Sequence, residues 1–369
     1  MKIAVLAIGT RGDVQPNIAL AKALQARGHD VVLGAPDNFK QWVESHGLKF
    51  HALGVDMQSL LQSPEGREII SGNVFAIMKI WKETLVPMMR QSLDATWEAA
   101  RDADVIVYHP KVVAAPEICE KTGAKPVFAA ALPLFSTGAF PFMAFTVNLG
   151  PWLNRQTYRI LYLTRLTILG ILNKWRREVL GLGKGPLFAT VGEYSGGLAP
   201  RLCAVSNAVL PRPDDMDDGF HMTGYWFLDE GTTWQPDEKL AAFLEAGEPP
   251  VYIGFGSLTT KNPKQLGEEI LEGVRRAGVR ALLATGWGGI EETDLPENVH
   301  MIESAPHDAL FKRVSAVVHH GGAGSTGAGL RAGLPTLVCY MAVDQPFWGN
   351  RVYKLGCGPE PLSLKRLKA

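Results

Sequence analysis

The order of apolar and polar positions at the start of the chain predicts a β-α-β unit. The run "KIAVLAI" (Lys2–Ile8) has no polar alternation after its first residue, which is typical of a strand buried on both faces of a parallel sheet. In "NIALAKALQARGH" (Asn17–His29) apolar residues recur at helical spacing and Gly28 supplies a stop, so we predict an amphipathic helix. The run "DVVLGAP" (Asp30–Pro36) is the next strand and closes the unit.

The same alternation of strands and helices continues and then starts afresh. "ADVIVYHP" (Ala103–Pro110) and "KPVFAAALP" (Lys125–Pro133) read as buried strands, and a second series begins at Pro250 with "PVYIGFGS". We therefore predict the α/β class, with two consecutive Rossmann-like domains. The boundaries we expect are residues 1–225 for the first domain, 226–240 for a polar linker and 241–369 for the second domain.

Residues 134–200 break this alternation. An aromatic segment with little charge is followed by "QTYRILYLTRLTILGILNKWRREVLGLG" (Gln156–Gly183), which predicts one long apolar helix carrying scattered Arg and Lys. The simplest interpretation is a core helix with a packing loop. Two alternatives stay open: a wall of an apolar acceptor pocket, or a face that rests on a membrane surface.

Composition narrows the classes of function. The 369 residues carry 37 basic and 37 acidic side chains, which gives no electrostatic footprint for nucleic acid. The four cysteines are widely separated, so a disulfide framework or a zinc site is not expected, and a cytoplasmic location is favoured. Neither a secretory signal nor a spanning helix is predicted.

The most informative stretch runs from Val317 to Asn350. A strand ends at "HH", glycines follow, and a helix of small residues begins. This order favours an anion site, because glycines let a ligand approach the backbone closely and the start of a helix presents free N–H groups. A diphosphate suits this geometry, and a tight packing turn is the alternative. The predicted diphosphate contacts are His320, Gly322, Gly324, Ser325 and Thr326.

Further polar residues follow the other strands of the second domain. Asp344 and Gln345 come just after "TLVCYM" and suit the hydroxyls of a sugar, with a solvated turn as the alternative. The remaining donor-site candidates follow strands at the same predicted sheet edge: Gly256, Ser257, Trp287, Ala305 and His307.

These motifs resemble a known family. "HGGAGSTGAGLRAGLP" with "DQPFWGNRV" resembles the donor-binding signature of family 1 glycosyltransferases, enzymes of the GT-B fold that use nucleotide sugars. Together with "GTRGDVQP", "TGYWFLD", "ATGWGG" and "APHDALF", they are similar to the sterol 3-β-glucosyltransferases and their bacterial relatives, including glycopeptide-antibiotic glucosyltransferases.

The resemblance implies two domains that face each other across a cleft. The second domain would bind UDP-glucose or a related nucleotide sugar as donor, and the first would bind an apolar hydroxylated acceptor. No metal or other cofactor is implied. Ser304 and Ala328 stand where plant members carry a Trp for the uracil and a Glu for the ribose. Family members usually continue through further helices, so we expect the closing C-terminal segment to be missing here.

The resemblance also assigns a task to the first glycine turn. Asp13 stands where plant members carry their catalytic His, so it is expected to act as general base in an inverting transfer, with burial raising its pKa. His109, at a strand end, orients Asp13 or the acceptor, or is a packed strand-end residue. Asp13 as a helix cap is the structural alternative. The expected acceptor contacts are Thr10, Arg11, Phe135, Phe140 and Phe142.

Three rival hypotheses remain open from the sequence. A nicotinamide-dependent oxidoreductase is disfavoured because "GTRGDV" lacks the G-x-G-x-x-G pattern. A non-catalytic nucleotide-sugar-binding protein and the same chemistry with a different nucleotide-hexose donor are the other two.

Overall fold

The computed structural model describes residues 1–54, 80–189, 192–231, 234–255, 263–284, 295–341 and 343–367. They form two compact units, as the two rounds of strands and helices lead us to expect. The N-terminal unit comprises residues 1–142, 149–207 and 211–228, and the C-terminal unit comprises residues 143–148, 208–210 and 229–369. The long uninterrupted part of the C-terminal unit thus starts at Asp229, among the residues we expected to form the linker.

A seven-stranded sheet forms the centre of the N-terminal unit. All of its neighbouring strands are parallel, and their spatial order is β3-β2-β1-β4-β5-β8-β9. The strands are β1 (Lys2–Leu6), β2 (Asp30–Ala35), β3 (Lys49–Ala52), β4 (Val105–Tyr108), β5 (Lys125–Ala130), β8 (Arg201–Cys203) and β9 (Phe220–Met222). A small antiparallel ribbon consists of β6 (Glu193–Tyr194) and β7 (Gly197–Leu198).

The central strand β1 is buried on both faces, as its unbroken apolar run predicts. Val5 pairs in register with Leu33 of β2 and Val107 of β4, and side chains of β1 and β2 pack against Val14 and Ile18 of the first helix. Burying such side chains contributes about 1.5–3 kcal/mol each. The helices of this unit are α1 (Arg11–Ala26), α2 (Lys40–Ser45), α3 (Val86–Ala100), α4 (Ala115–Thr122), α5 (Pro151–Thr157) and α6 (Ile160–Trp175).

Helix α1 starts earlier than the periodicity suggested. We placed its start at Asn17, after Pro16, but the helix begins at Arg11 and contains Pro16. The reason is local: the backbone N–H of Thr10, at the N-cap position, donates to the Asp13 carboxylate at 2.7 Å, half of a capping box. Asp13 is therefore in the first turn of the helix rather than ahead of it.

The single long helix expected over Gln156–Gly183 is also a mistaken prediction. The chain forms α5, breaks near Tyr158, forms α6 and ends in a π turn over Arg176–Leu180. The left-handed Gly181 (φ 66°) follows that turn. No helix among the described residues is long and apolar enough to cross a membrane.

A six-stranded parallel sheet organises the C-terminal unit. Its order is β12-β11-β10-β13-β14-β15, so the strand order again reverses beside the first strand of the unit. The strands are β10 (Val251–Gly254), β11 (Ala281–Ala284), β12 (Val299–Ile302), β13 (Ala316–His319), β14 (Thr336–Tyr340) and β15 (Leu362–Ser363). The helices are α7 (Glu238–Glu245), α8 (Pro263–Ala277), α9 (His307–Leu310), α10 (Ala323–Arg331) and α11 (Gln345–Lys354).

Candidate active site

The two turns at the centre of the N-terminal sheet bring Asp13 and His109 together. Strands β1 and β4 are direct neighbours, and the strand order reverses between them, which is where ligands of open α/β sheets bind. Asp13 follows β1 and His109 follows β4, so both lie at the carboxyl edge. The distance from His109 Nε2 to Asp13 Oδ1 is 3.2 Å.

The hydrogen bonds of His109 indicate which ring nitrogen carries the hydrogen. Its Nδ1 accepts from the backbone N–H of Lys111 at 3.4 Å, which leaves the hydrogen on Nε2, facing Asp13. His109 is nearly fully buried. Its Nε2–H therefore points at the carboxylate, as orientation of Asp13 requires, and its burial at the strand end also fits the packing alternative.

Lys111 also contacts Asp13, although the sequence pattern did not indicate it as a site residue. Its ammonium lies 2.9 Å from Asp13 Oδ2, an oxygen that also accepts from the backbone N–H of Thr10 at 2.7 Å and from the Thr10 hydroxyl at 3.2 Å. The available signal was its position two residues beyond His109 in "YHPK". Gly9 (φ 143°) makes room for this contact, because a Cβ there would lie 2.8 Å from Lys111 Nζ.

These contacts reverse the expected direction of the Asp13 pKa. Burial alone would raise it, as we predicted, but the hydrogen bond from His109 and the charge of Lys111 outweigh burial and hold the pKa of Asp13 well below its usual range. The expectation of a raised pKa was thus wrong, because it left out two donors that only the folded turns bring together. Asp13 is ionised at neutral pH.

The predicted acceptor contacts fall into two groups. Thr10 and Arg11 are exposed beside Asp13, and the Arg11 guanidinium lies 4.7 Å from the centre of the Trp42 ring. Phe140 and Phe142 are half-buried near Tyr158, whose hydroxyl donates to the Phe140 carbonyl at 3.4 Å.

Phe135 has a different environment from the other aromatic candidates. It is buried in the core, with ring centres 4.4 Å from Phe220 and 6.0 Å from Phe128. Its position corrects the expectation that its ring lines a pocket: the ring packs against other aromatic side chains.

In the C-terminal unit, strand β13 ends at His319 and leads into the glycine turn. The φ of Gly321 is 91°, and a Cβ there would lie 2.6 Å from Val338 Cγ1 and 3.0 Å from the Gln345 carbonyl, so only glycine fits. The His320 ring lies over the turn, because a Cβ on Gly322 would come within 2.7 Å of its Nε2.

Helix α10 begins at the end of this turn, with Gly322 at its N-cap position and no side-chain cap. The first N–H groups of a helix have no partner within the helix, so this end favours an anion. Gly324 is exposed and Ser325 half-exposed at the same end. Thr326 differs from the prediction: it is fully buried, and its hydroxyl donates to the Gly322 carbonyl at 2.9 Å, so that hydrogen is used within the turn.

Burial keeps both histidines of the turn neutral. It is the main cause of a pKa of about 3 for His319, with the nearby His320 and His307 as further causes, and it also lowers the pKa of His320. His319 Nδ1 accepts from the backbone N–H of Gly321 at 2.9 Å. His319 thus fixes the turn, and His320 can offer a ring N–H without a full charge.

The Asp344–Gln345 pair opens helix α11 after a strained turn. Val343 has a φ of 61°, a rare conformation for a β-branched residue. The indole N–H of buried Trp348 donates to Asp344 Oδ2 at 2.9 Å, and Gln345 Oε1 accepts from the backbone N–H of Met341 at 2.7 Å. Both side chains are therefore held at the carboxyl end of β14.

Two of the donor-site predictions lie near the end of β12. Ala305 and His307 are half-buried, and the His307 ring stacks on Phe311 at 4.4 Å. Gly256, Ser257 and Trp287 lie outside the described residues.

Comparison with known proteins agrees with this arrangement. Residues 3–141 match the Glycosyltransferase family 28 N-terminal domain, and residues 288–365 match the Erythromycin biosynthesis protein CIII-like C-terminal domain. The glycosyltransferase VinC, solved in complex with DTDP, superposes with a TM-score of 0.65 at 18% identity, over 100% of this chain and 89% of that one. The chain therefore has the GT-B fold of these glycosyltransferases.

The chain is also similar in sequence to sterol 3-beta-glucosyltransferases. It is 35% identical to the one from Arabidopsis thaliana, over all of this chain and 61% of that protein. It is 36% identical to the one from Neosartorya fischeri, over all of this chain and 26% of that protein. The chain therefore spans about a quarter of the fungal relative and under two thirds of the plant one.

The structure thus forms two clusters from the predicted residues. Asp13, His109 and Thr10 lie together in the N-terminal unit, joined by Lys111. In the C-terminal unit, the turn that carries His320 contacts the Asp344–Gln345 segment through Gly321.

Proposed function

We propose that this protein transfers a hexose, glucose in the first instance, from a UDP-sugar to a hydroxyl of an apolar acceptor such as a sterol, terpenoid or other lipid. The observation that carries the proposal is the ionised carboxylate of Asp13, held by His109 and Lys111 at the point where the strand order of the N-terminal sheet reverses. The 35–36% identity to sterol 3-beta-glucosyltransferases over the whole chain supports the acceptor class and the glucosyl group.

The reaction needs a base for the acceptor hydroxyl, and Asp13 is suited to it. Its Oδ2 already accepts three hydrogen bonds, whereas its Oδ1 accepts the His109 bond alone among those formed by the described residues. In the proposed step the acceptor O–H donates to Oδ1, the acceptor oxygen attacks the anomeric carbon, and the bond to the diphosphate breaks with its electron pair leaving on UDP. The configuration inverts, and the acceptor proton passes to Asp13.

The low pKa of Asp13 restricts when this proton moves. A weak base removes little proton from an alcohol in the ground state, so transfer runs late, after the sugar has gained oxocarbenium character. Such assistance is worth about 10²–10⁴-fold in rate. The ring N–H of His109 keeps the carboxylate aimed during the step.

The donor end of the proposal rests on the C-terminal unit. The start of α10, the backbone of the glycine turn and the neutral His320 would hold the diphosphate, while Asp344 and Gln345 would hold the hexose. These donors can stabilise the leaving diphosphate, so we propose that transfer proceeds without a metal ion. All four cysteines are free thiols, which is consistent with the cytoplasmic location we propose.

The test is a panel of donors and acceptors, with product mass and nucleotide release measured together. We expect glucose transfer from UDP-glucose to sterols and other apolar alcohols, unchanged in EDTA. Asp13→Asn keeps an oxygen for the Thr10 N–H but removes the base, so it should lower turnover by about 10²–10⁴-fold while UDP affinity stays the same. Turnover close to wild type in Asp13→Asn would refute the role of Asp13.

The same panel separates the alternatives. Transfer from a dTDP-hexose in preference to UDP-glucose would keep the chemistry and change the donor. Tight UDP-glucose binding with no transfer to any acceptor would instead indicate a non-catalytic nucleotide-sugar-binding protein.

A further inference from the structure

Helices α5 and α6 of the N-terminal unit present large apolar side chains to the outside. Trp152 is 69% exposed, Leu163 is 61% exposed and Phe188, which follows α6, is 60% exposed. We call this set the α5–α6 surface; its members are Trp152, Leu153, Ile160, Leu163, Leu166, Leu187 and Phe188. Contiguous exposed apolar area of this kind marks an interaction site in a folded protein.

The exposure follows from how α6 packs. Only Leu172 and Trp175, near the end of this 16-residue helix, are buried. Its first half instead turns Ile160, Leu163 and Leu166 outward, three apolar residues at a spacing of three along about two turns. An apolar helix whose contacts with its own unit lie mainly at one end leaves the other end to be covered by something else.

The segment after α6 extends the same surface. The Phe188 ring packs edge-on against Tyr162 of α6, with ring centres 5.8 Å apart, and Arg165 donates to the Pro186 carbonyl at 3.3 Å. Leu187 and Phe188 therefore lie alongside α6 as part of one surface rather than as isolated exposed residues.

Basic side chains outnumber acidic ones along this surface. From Pro126 to Arg177 the sequence contains no Asp or Glu, although it contains six Arg and Lys residues. Arg159, Lys174 and Arg177 are exposed at the two ends of α6. Exposed Glu178 lies 3.9 Å from Lys174 and offsets part of the positive charge at the C-terminal end. Arg176, by contrast, is buried and paired with Glu117 and Glu120 of α4, so it serves the interior.

We propose that the α5–α6 surface docks this protein on a bilayer that contains anionic phospholipid. Trp, Leu and Phe side chains enter the boundary between headgroups and acyl chains, and Arg159, Lys174 and Arg177 contact the phosphates. Charge complementarity favours this occupant over a second copy of the chain, since two copies would oppose the like charges of Arg159 and Arg177. Docking does not depend on the proposed glycosyl transfer, although it would bring an apolar acceptor close to the enzyme.

The test measures binding of the whole chain to vesicles, without donor or acceptor. Wild type is compared on phosphatidylcholine vesicles with and without phosphatidylserine, by co-sedimentation and tryptophan fluorescence. The test variant is Trp152→Ser with Leu163→Ser. The matched control is Tyr353→Ser with Leu362→Ser, two exposed large side chains of the C-terminal unit. Thermal unfolding verifies that each variant is folded.

We expect wild type to bind the anionic vesicles, with a blue shift of its fluorescence. The test variant should partition about a hundredfold more weakly, because two large side chains no longer leave water, and the control should bind like wild type. Replacing Arg159, Lys174 or Arg177 by Gln should cost about fivefold each on phosphatidylserine and little on phosphatidylcholine.

Three results would overturn the proposal. They are absence of vesicle binding by wild type, equal binding by the test variant, and a concentration-dependent dimer that the test variant abolishes. The last would assign the surface to a second copy of the chain. None of these measurements uses glycosyl transfer, so a negative vesicle-binding result would not contradict the proposed function. Conversely, a protein that binds vesicles but transfers no sugar would contradict the proposed function and still support the docking surface.

Discussion

Lys111 lowers the pKa of Asp13, the proposed base, so its removal should speed the proposed reaction. In Lys111→Met the apolar stem is kept and the ammonium 2.9 Å from Asp13 Oδ2 is lost. The Lys111 side chain is 53% exposed, so solvent screens its interaction with Asp13. We assign the pair an interaction free energy of about 1 kcal/mol, the upper end for exposed pairs, because the carboxylate itself is mostly buried. At 1.36 kcal/mol per unit, the pKa of Asp13 rises by about 0.7.

That change sets a ceiling on the kinetic effect. A base stronger by about 0.7 pKa units accelerates proton removal by at most about fivefold, reached only if the proton is fully transferred in the transition state. Asp13 stays ionised at neutral pH, because the donors from His109 and Thr10 remain. We therefore expect turnover to rise between onefold and about fivefold, with the free energy of unfolding lowered by no more than about 1 kcal/mol.

The assay is the initial rate of UDP release from UDP-glucose with a sterol acceptor at neutral pH. Lys111→Arg keeps the charge and should behave like wild type, and Lys22→Met, an exposed lysine further along α1, controls for loss of a surface charge. Turnover that falls more than tenfold in Lys111→Met, with stability intact and Lys111→Arg active, would refute the reasoning. It would mean that the cation acts on the substrates rather than on Asp13.

Three further predictions concern stability and can be measured by denaturant unfolding. Gly321→Ala should lower the free energy of unfolding by about 1–3 kcal/mol, because its φ of 91° and the nearby Val338 side chain leave no place for a Cβ. The control is Gly324→Ala, which should not destabilise because a Cβ there meets nothing within 4 Å. Equal effects of the two substitutions would contradict this. Arg176→Met should cost about 3 kcal/mol, because it leaves buried Glu117 with the 3.5 Å contact to Arg165 in place of its closer partner. Adding Glu117→Gln should restore most of the loss, and no restoration would disprove the pairing argument. The pKa of His319 is about 3 in the folded protein and 6.5 in the unfolded chain, so near and below pH 6.5 the unfolded chain binds more protons. The free energy of unfolding should therefore fall by about 2 kcal/mol from pH 7.5 to pH 5. An unchanged pH slope in His319→Gln would show that another group titrates.

The parts of the fold that the sequence predicts best are those governed by local patterns. Strand β1 and the crossover to β2 follow from an unbroken apolar run and a helical period, and both form as predicted. The start of α1 was missed although its signal, Thr10 three residues before Asp13, was present in the sequence. Because proline usually occupies the first turn of a helix, Pro16 favoured a start near Asn17 instead of Arg11.

The parts of the site that could not be predicted depend on contacts between distant segments. That Asp13 and His109 share a sheet edge follows from the strand pattern, but their 3.2 Å contact and the approach of Lys111 depend on the strand order and the shape of two turns. The pKa of Asp13 changes direction for the same reason.

The outward face of α6 was similarly hidden. An apolar helix has the same sequence signature whether its surroundings are protein or not, and only packing distinguishes them. Leu163 and Leu172 are indistinguishable in the sequence, yet the first is exposed and the second buried.

The capping role of Asp13 has a consequence for how the family can be read across evolution. The same carboxylate that would accept the proton also receives the Thr10 N–H at the start of α1, so selection for a stable helix acts on it even where catalysis has been lost. An aspartate retained at this position in a homologue is thus weak support for activity. Replacement by asparagine or glutamine is more informative, because these amides can keep an oxygen for the Thr10 N–H without acting as the base. Such homologues are candidates for proteins that have kept the fold and abandoned the reaction.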